Sequence, residues 1–350
     1  MDNHELYMQR CFDLARLAGK AVKSNPQVGA VIVHNDTIIG EAYHKKFGGP
    51  HAEINALNSV GEADKKLLNE STLFISLEPC CIDGKTPPCT DAIVESGIKK
   101  VIFSVKDPNP EVAGKSIKIL EDQGIDVSHG LLEIEGMKLI KPFKANLEDR
   151  PYIILKWAQS SDAYIGKRGK TISISNDYSK IMSHRWRSEV DAILIGYQTA
   201  LVDDPQLNTR LWDGEDPLRV VLDPKGELPE NLHIYADERP TLFISDKSNN
   251  EELLSNKEIV AISSENDDFI EQLLKALYRK GINKLIVEGG TKTLYKFIDK
   301  NLWDEARIIT NNQPLKSGIK APYITGIPYG SYQIIDDEIT YVYPKSTILN

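Results

Sequence analysis

The side chains best suited to chemistry cluster between residues 51 and 89: His51, Glu53, Cys80 and Cys89. One His and two Cys are borderline-soft donors suited to Zn²⁺, and three protein ligands leave the fourth tetrahedral position to water. Glu53, two residues from His51, is placed to carry protons to and from that water without joining the ligands. The same donors would also serve a closed structural site or a free thiol pair. A structural site usually closes with a fourth Cys or His. The spare, Cys81, adjoins Cys80 and is poorly placed to share the metal. The pattern therefore predicts one catalytic zinc per chain.

The whole chain bounds what that site can serve. Its 350 residues suggest two domains, and 41% hydrophobic with 27% charged residues fits a globular α/β protein. No run approaches the roughly 18 apolar residues of a membrane span. The acidic N-terminus leads into an amphipathic segment rather than a signal h-region. Of four Cys, three lie in one short segment, which reads as metal chemistry in a reducing compartment, the cytoplasm, rather than a disulfide framework. Net charge is −9, and dividing the chain after residue 148 leaves both parts acidic. A broad nucleic-acid footprint is excluded, so an anionic substrate must be small and held by local donors.

Alternating helices and strands must position these residues. A helix is expected over 5–22, where Leu6, Cys11, Leu14, Leu17, Ala18 and Val22 recur near 3.6, ended by Asn25-Pro26. Residues 28–33 and 37–42 read as a hairpin turning at Asn35-Asp36. It delivers His44 and Gly48-Gly49-Pro50 to a helix opened by His51. Strands at 72–76, 100–105 and 125–127 and helices at 89–96 and 114–123 follow, with Gly97 as a helix stop. Both zinc-ligand Cys are expected at or near helix starts, where the dipole favours thiolate. A helix over 133–149 leads to a boundary at Arg150-Pro151, giving domains 1–148 and 149–350. The second series has strands at 152–157, 192–195, 218–222, 241–244, 259–262 and 284–287, with helices at 178–187, 267–280 and 291–300. The tail from Ser331 is expected to be one edge strand.

Asn25-Pro26-x-Val28-Gly29, His44, His51-x-Glu53, Pro79-Cys80 and Cys89 resemble the deaminase half of the bifunctional riboflavin-biosynthesis deaminase/reductases. The cytidine deaminase class uses Pro-Cys-x-x-Cys. Here eight residues separate Cys80 from Cys89, and the loop runs Gly84-Lys85-Thr86-Pro87-Pro88-Cys89, as is typical of the riboflavin enzymes. Asp107-Pro108-Asn109-Pro110 and Val112-Ala113-Gly114 extend the match over residues 5–148. The resemblance implies a three-layer cytidine-deaminase-like domain in which His51, Cys80 and Cys89 hold zinc and Glu53 shuttles protons. It further implies that Asn25 and His44 orient a pyrimidinone and that Lys85 meets its phosphate. By composition alone Asn25 could equally end a helix in an Asx-turn, and Lys85 could be a solvated surface lysine. The chain departs from the pattern at Ile82, where many relatives have His, which removes a polar contact to substrate.

The second half resembles the reductase of the same family, with a dihydrofolate-reductase-like fold. Its motifs are Lys156-Trp157-Ala158-Gln159-Ser160-Ser161-Asp162, Ile174-Ser175-Asn176, His184-Arg185-Trp186-Arg187, 191–196, Thr199, Asp203-Asp204-Pro205-x-Leu207 and Val287-Glu288-Gly289-Gly290. A strand, a Gly-Gly turn and a helix start at Gly289–Thr291 can hold phosphate on bare N–H groups, though a lone Gly-Gly is more often a plain helix cap. It is not a Gly-x-Gly-x-x-Gly fingerprint, so a different NADPH fold is required. The resemblance assigns Ala158, Ser173, Thr199, Asp203 and the Gly289-Gly290-Thr291 turn to NADPH. It assigns Thr171, Arg187, Asp203, Leu207, Arg210 and Glu288 to the substrate's ribose phosphate. Guanidinium suits phosphate bidentately; without the motif, Arg187 and Arg210 would as readily form surface salt bridges, and Asp203 an Asx-turn before Pro205. Relatives usually have Asp-Gly where this chain has Asp162-Ala163.

The expectation is a cytoplasmic two-domain enzyme that deaminates 2,5-diamino-6-ribosylamino-4(3H)-pyrimidinone 5′-phosphate and then reduces its ribosyl group with NADPH. Its partners would be that small molecule and, by resemblance, further copies of itself, with no nucleic acid and no membrane. One alternative is a reductase carrying a degenerate deaminase domain, motivated by Ile82. Another is a tRNA or free-base deaminase fused to a nucleotide-binding module, against which the acidic halves and the Lys85 loop count.

Overall fold

The computed structural model describes residues 3–84, 87–246 and 256–345. The chain forms two compact units, Met1–Glu148 and Asp149–Asn350. Among the described residues, no helix is long and apolar enough to cross a membrane.

In the first unit the elements run α1 (Asn3–Arg16), β1 (Gly29–His34), β2 (Thr37–Tyr43), α2 (Ala52–Ser59), β3 (Thr72–Leu77), α3 (Cys89–Ser96), β4 (Lys100–Val105), α4 (Lys115–Asp122), β5 (Asp126–His129) and α5 (Glu133–Leu147). The sheet order is β2-β1-β3-β4-β5, antiparallel up to β3 and parallel beyond it. Strand alternation splits the core in two. Ala30, Ile32, Leu73, Ile75, Val101 and Phe103 face α2, α3 and α4, whereas Val31, Val33, Phe74 and Ile102 face α1. This is the expected three-layer α/β architecture. Gly29 is dictated by packing, because a Cβ there would lie 2.0 Å from the Cys11 carbonyl of α1.

Two expectations are corrected here. The first helix stops at Arg16, not at 22: turns follow, with Gly19 at a left-handed φ of +53° and Leu17 exposed. Cys80 is not at a helix start but in the loop after β3; only Cys89 opens a helix.

The second unit contains β6 (Tyr152–Ser160), β7 (Tyr164–Gly166), α6 (Asp177–Ser188), β8 (Ala192–Gly196), α7 (Tyr197–Asp203), β9 (Leu218–Leu222), α8 (His233–Ala236), β10 (Thr241–Ser245) and β11 (Lys257–Ala261). It continues through α9 (Phe269–Arg279), β12 (Lys284–Val287), α10 (Thr291–Ile298), β13 (Glu305–Asn311), β14 (Ile319–Lys320), β15 (Gly326–Ile334) and β16 (Asp337–Pro344). The nine-stranded sheet is ordered β11-β10-β9-β8-β12-β6-β13-β16-β15. It is parallel from β11 to β13 and closes on an antiparallel hairpin. The tail is therefore two strands, β15 and β16, rather than one. From β6 the chain moves to β8 and the far edge, then returns to place β12 between them. Such a reversal opens a crevice at the carboxyl ends of the strands.

Outside the main sheet, β7 and β14 form a two-stranded flap. Ala163, before β7, sits at φ +59°, a region that costs a residue with a Cβ about 1–2 kcal/mol. A glycine would suit this place. Ala163→Gly is expected to stabilise the second unit by about 0.5–1 kcal/mol. A thermal scan yielding an unchanged or lower midpoint would contradict it.

Candidate active sites

His51 immediately precedes α2, at extended φ −72° and ψ 169°. Cys80 follows β3 and Cys89 is the first residue of α3, after Pro88. These elements bring His51 Nδ1 to 3.4 Å from Cys80 Sγ and 3.3 Å from Cys89 Sγ, and all three donor atoms lie within 4.8 Å of one another. Donors of a tetrahedral zinc site with these bond lengths stand about 3.5 Å apart. The trio fits zinc.

The electrostatics are those of a thiolate pocket. The backbone N–H of Cys89 donates to Cys80 Sγ at 3.3 Å, so the start of α3 serves both cysteines. The Cys89 thiol, with His51 and that N–H, holds Cys80 well below the usual thiol range. Cys89, as the donor of the pair and buried, is pushed the other way. Glu53 is 3% exposed. Burial, reinforced by the Cys80 thiolate, pushes its carboxyl up to about 7.

His44 and Asn25 adjoin this trio. The His44 ring meets that of His51 edge-on at 5.3 Å. Its Nδ1 is 3.0 Å from the Pro50 carbonyl and its Nε2 is 3.1 Å from Asn25 Nδ2. Burial pushes the imidazole down. The network thus assigns a neutral ring, donating from Nδ1 and accepting the Asn25 amide at Nε2. Ile82 is half-buried in the loop between the cysteines, and Lys85 lies outside the described residues.

Glu78 received no role from sequence reasoning. It is 3% exposed, and its carboxylate accepts from the N–H groups of Asp107 (3.1 Å) and Gly114 (3.0 Å) and the Ser116 hydroxyl (2.7 Å). It therefore ties the Cys80 loop to the start of α4. A charge closing an otherwise apolar strand was the available signal. Glu78→Gln keeps the volume but turns an amide N–H₂ toward donors. About 2 kcal/mol of stability is expected to be lost, read as a lower urea midpoint of the first unit; an unchanged midpoint would show that the loop is held elsewhere.

In the second unit the candidates gather at the carboxyl ends of β6, β8 and β12. Glu288, directly after β12, accepts Arg187 bidentately at 2.9 and 2.9 Å and Lys156 Nζ of β6 at 3.3 Å. All three side chains are buried or nearly so. Arg187 also donates to the Asn208 carbonyl at 3.1 Å. Two cations facing one carboxylate pull Glu288 down to about 2 against its burial, while burial lowers the Lys156 ammonium. His184, with an unpartnered buried Nδ1, is held down to about 4 by burial and then by Arg187 and Arg210. Lys156 was the second omission of sequence reasoning, although a lysine inside Tyr152-Ile153-Ile154-Leu155 and Trp157 must find a counter-charge.

Most of the remaining candidates fall in two groups. Gly290 N–H donates to the Thr199 hydroxyl at 3.1 Å, joining α7 to the turn before α10. A Cβ at Gly289 would lie 2.6 Å from Thr293 Cβ. The first N–H groups of α10, on Thr291 and Lys292, have no intrahelical acceptor. That cradle fits an anionic cofactor group. Thr171 Oγ1 donates to Val202 O at 3.0 Å and lies against the Asp203 carboxyl. Leu207 is buried at a left-handed φ of +56°, strain typical of a binding loop. Arg210 is exposed and donates to Asn208 Oδ1 at 2.6 Å. Ala158 lies in β6, and the exposed Ser173 bonds only locally, to Ser175 O.

Comparison with known proteins covers both units. A family model described as the cytidine and deoxycytidylate deaminase zinc-binding region matches residues 1–105. One described as the RibD C-terminal domain matches residues 151–314. The riboflavin biosynthesis protein RibD of Aquifex aeolicus is 38% identical over 303 residues, covering 85% of this chain and 84% of that protein. Its Escherichia coli counterpart is 33% identical over 324 residues, covering 86% and 85%. The crystal structure of a diaminohydroxyphosphoribosylaminopyrimidine deaminase/5-amino-6-(5-phosphoribosylamino)uracil reductase from Thermotoga maritima is 33% identical. It covers 98% of this chain and 99% of its own, with a TM-score of 0.85.

Proposed function

The chain belongs to the RibD family of bifunctional riboflavin-biosynthesis enzymes, which join a deaminase to a reductase, and from that premise we propose how its residues divide the work. The substrate is 2,5-diamino-6-ribosylamino-4(3H)-pyrimidinone 5′-phosphate. Residues 1–148 replace its ring amino group by oxygen, and residues 149–350 reduce the ribosyl group to ribityl.

In the first unit His51, Cys80 and Cys89 hold zinc, which when bound supplies a water acidic enough to attack at neutral pH. Glu53 takes a proton from the attacking water and delivers it to the amino group, which leaves as ammonia. His44, fixed by Pro50, takes the Asn25 amide N–H, and this leaves the Asn25 oxygen to accept from the pyrimidinone. Lys85 meets the phosphate.

In the second unit NADPH, when bound, supplies the hydride. Gly289, Gly290 and Thr291 hold its phosphate on the open start of α10, Thr199 braces that turn, and Ala158, Ser173 and Asp203 complete the site. Thr171, Asp203, Leu207 and Arg210 take the ribose phosphate. Arg187, already paired with Glu288, adds its remaining N–H groups. The enzyme acts in the cytoplasm as a homo-oligomer on this small molecule.

The observation that carries the reading is a buried carboxyl, Glu53, two residues from His51 in a pocket whose three metal donors lie within 4.8 Å of one another. The test is to incubate the diamino nucleotide with the purified chain and NADPH and identify products by mass spectrometry. A deaminated and reduced product is expected. Unchanged substrate, with reduction of separately supplied deaminated intermediate, would mean that the first unit has lost its chemistry.

A further inference from the structure

An acidic enzyme that must capture phosphorylated ligands faces a kinetic problem, because its net charge of −9 repels them. One stretch of surface runs against that balance. Residues 161–171 carry Lys167, Arg168 and Lys170, and residues 313–324 carry Lys316 and Lys320. The fold brings the two segments together: Gly166 and Tyr164 of β7 pair with Ile319 and Lys320 of β14, and Lys167 bridges to Lys170 across the turn after β7.

All five cations are exposed, and among the described residues none enters an ion pair. Lys320 Nζ instead lies 3.9 Å from the centre of the Tyr164 ring. The sole carboxylate in the two segments, Asp162, is occupied by the Ser160 hydroxyl (2.6 Å) and the N–H groups of Leu315 (2.9 Å) and Lys316 (2.8 Å). Like charges gathered without counter-charges repel one another. The energy is recovered when an anion approaches.

The patch is wired to both halves of the reductase crevice. Thr291, at the start of α10, donates its hydroxyl to the Lys320 carbonyl at 2.5 Å. Thr171, next after Lys170, donates to Val202 beside Asp203. The flap thus borders the open helix start on one side and the Asp203 loop on the other. Both NADPH and the pyrimidine substrate bear phosphate; α10 carries no acid, and on the other flank the single exposed carboxylate of Asp203, hydrogen-bonded by Thr171, is outnumbered by the five cations.

We infer that the β7–β14 flap is an electrostatic collecting surface that draws phosphate-bearing ligands into the reductase crevice. The inference rests on the reductase reading above and adds to it a surface that speeds encounter without touching the reacting atoms. Its cations act at long range, so they govern association and leave the bound complex as it was.

The test compares the full-length, zinc-loaded chain with its triple variant Lys167→Gln/Arg168→Gln/Lys170→Gln. All three positions are exposed, so the fold is kept, and an unchanged urea midpoint of the second unit checks this. Two arms are followed against ionic strength. One is kcat/KM for the deaminated phosphopyrimidine at saturating NADPH; the other is the stopped-flow association rate of NADPH. At low salt the variant is expected to lose about tenfold in at least one arm with kcat held. The difference should vanish near about 0.5 M salt, where screening is complete over a few ångströms. The arm that responds identifies which ligand is collected. Identical rates and salt slopes for the two proteins in both arms would overturn the inference while leaving the reductase reading intact. If the unaltered chain reduces nothing, it is the reductase reading that fails.

Discussion

Glu53→Gln is expected to lower deamination by about 10²–10⁴-fold while zinc content and reduction of supplied deaminated intermediate stay at their original levels. The amide is nearly isosteric, so the buried pocket around residue 53 is preserved, but it can neither take up nor return a proton. His51, Cys80 and Cys89 are untouched, so the metal should remain. The measurement is paired: product analysis for each reaction, and metal analysis of the same sample. Loss of zinc in the variant would make Glu53 part of the metal's support rather than a proton carrier. Loss of both reactions would mean that the two units depend on one another.

The second large effect is on stability. Glu288→Ala leaves Arg187 and Lys156 buried with no counter-charge, at a cost of about 3–5 kcal/mol. The variant should therefore unfold its second unit at clearly lower urea. The same carboxylate sets a pH dependence whose sign follows from its shift. Its folded value of about 2 lies below the ordinary carboxyl range. Its contribution is thus fully present above about pH 4.5 and is lost as pH falls through about 2. Acid titration of the second unit's unfolding midpoint should show this loss in the unaltered chain and not in the variant. Equal acid sensitivity would mean that the two cations are satisfied by other groups.

What could be read from the sequence depended on how strongly each residue's chemistry restricts its surroundings. Metal donors and a nearby carboxylate are few in kind, so His51, Glu53, Cys80 and Cys89 stood out without any coordinates. The alternating apolar strands around them gave the three-layer order for the same reason. Cys80 was misplaced because a helix start and the loop facing it provide a thiolate with the same N–H groups, and the sequence does not say which element contributes which cysteine. The β15–β16 hairpin was hidden because its turn, Ile335 at φ +57° followed by Asp336, carries no Gly, Pro or Asn to mark it within the stretch from Ser331. Glu78 and Lys156 were passed over because each is a single charge in an apolar run. Their partners, Ser116 and Gly114 in one case and Glu288 in the other, come from distant parts of the chain. Arg187 was read as a phosphate ligand; its bidentate bond to Glu288 is a pairing across 101 residues that spacing does not reveal.

The position of β12 has a consequence for how the protein is made. β6 and β8 flank it in the sheet, yet β8 ends at Gly196 and β12 begins only at Lys284. A chain emerging from the ribosome therefore exposes two strand edges that are not meant for each other while it waits for the strand that separates them. Contacts between such distant segments form slowly, and open edges invite pairing with other chains in the meantime. The centre of the sheet, which carries Glu288 and the turn before α10, is thus completed after its surroundings. Chains ending before residue 284 would hold β6 and the neighbouring strands β8 to β11 but could not join the one to the others.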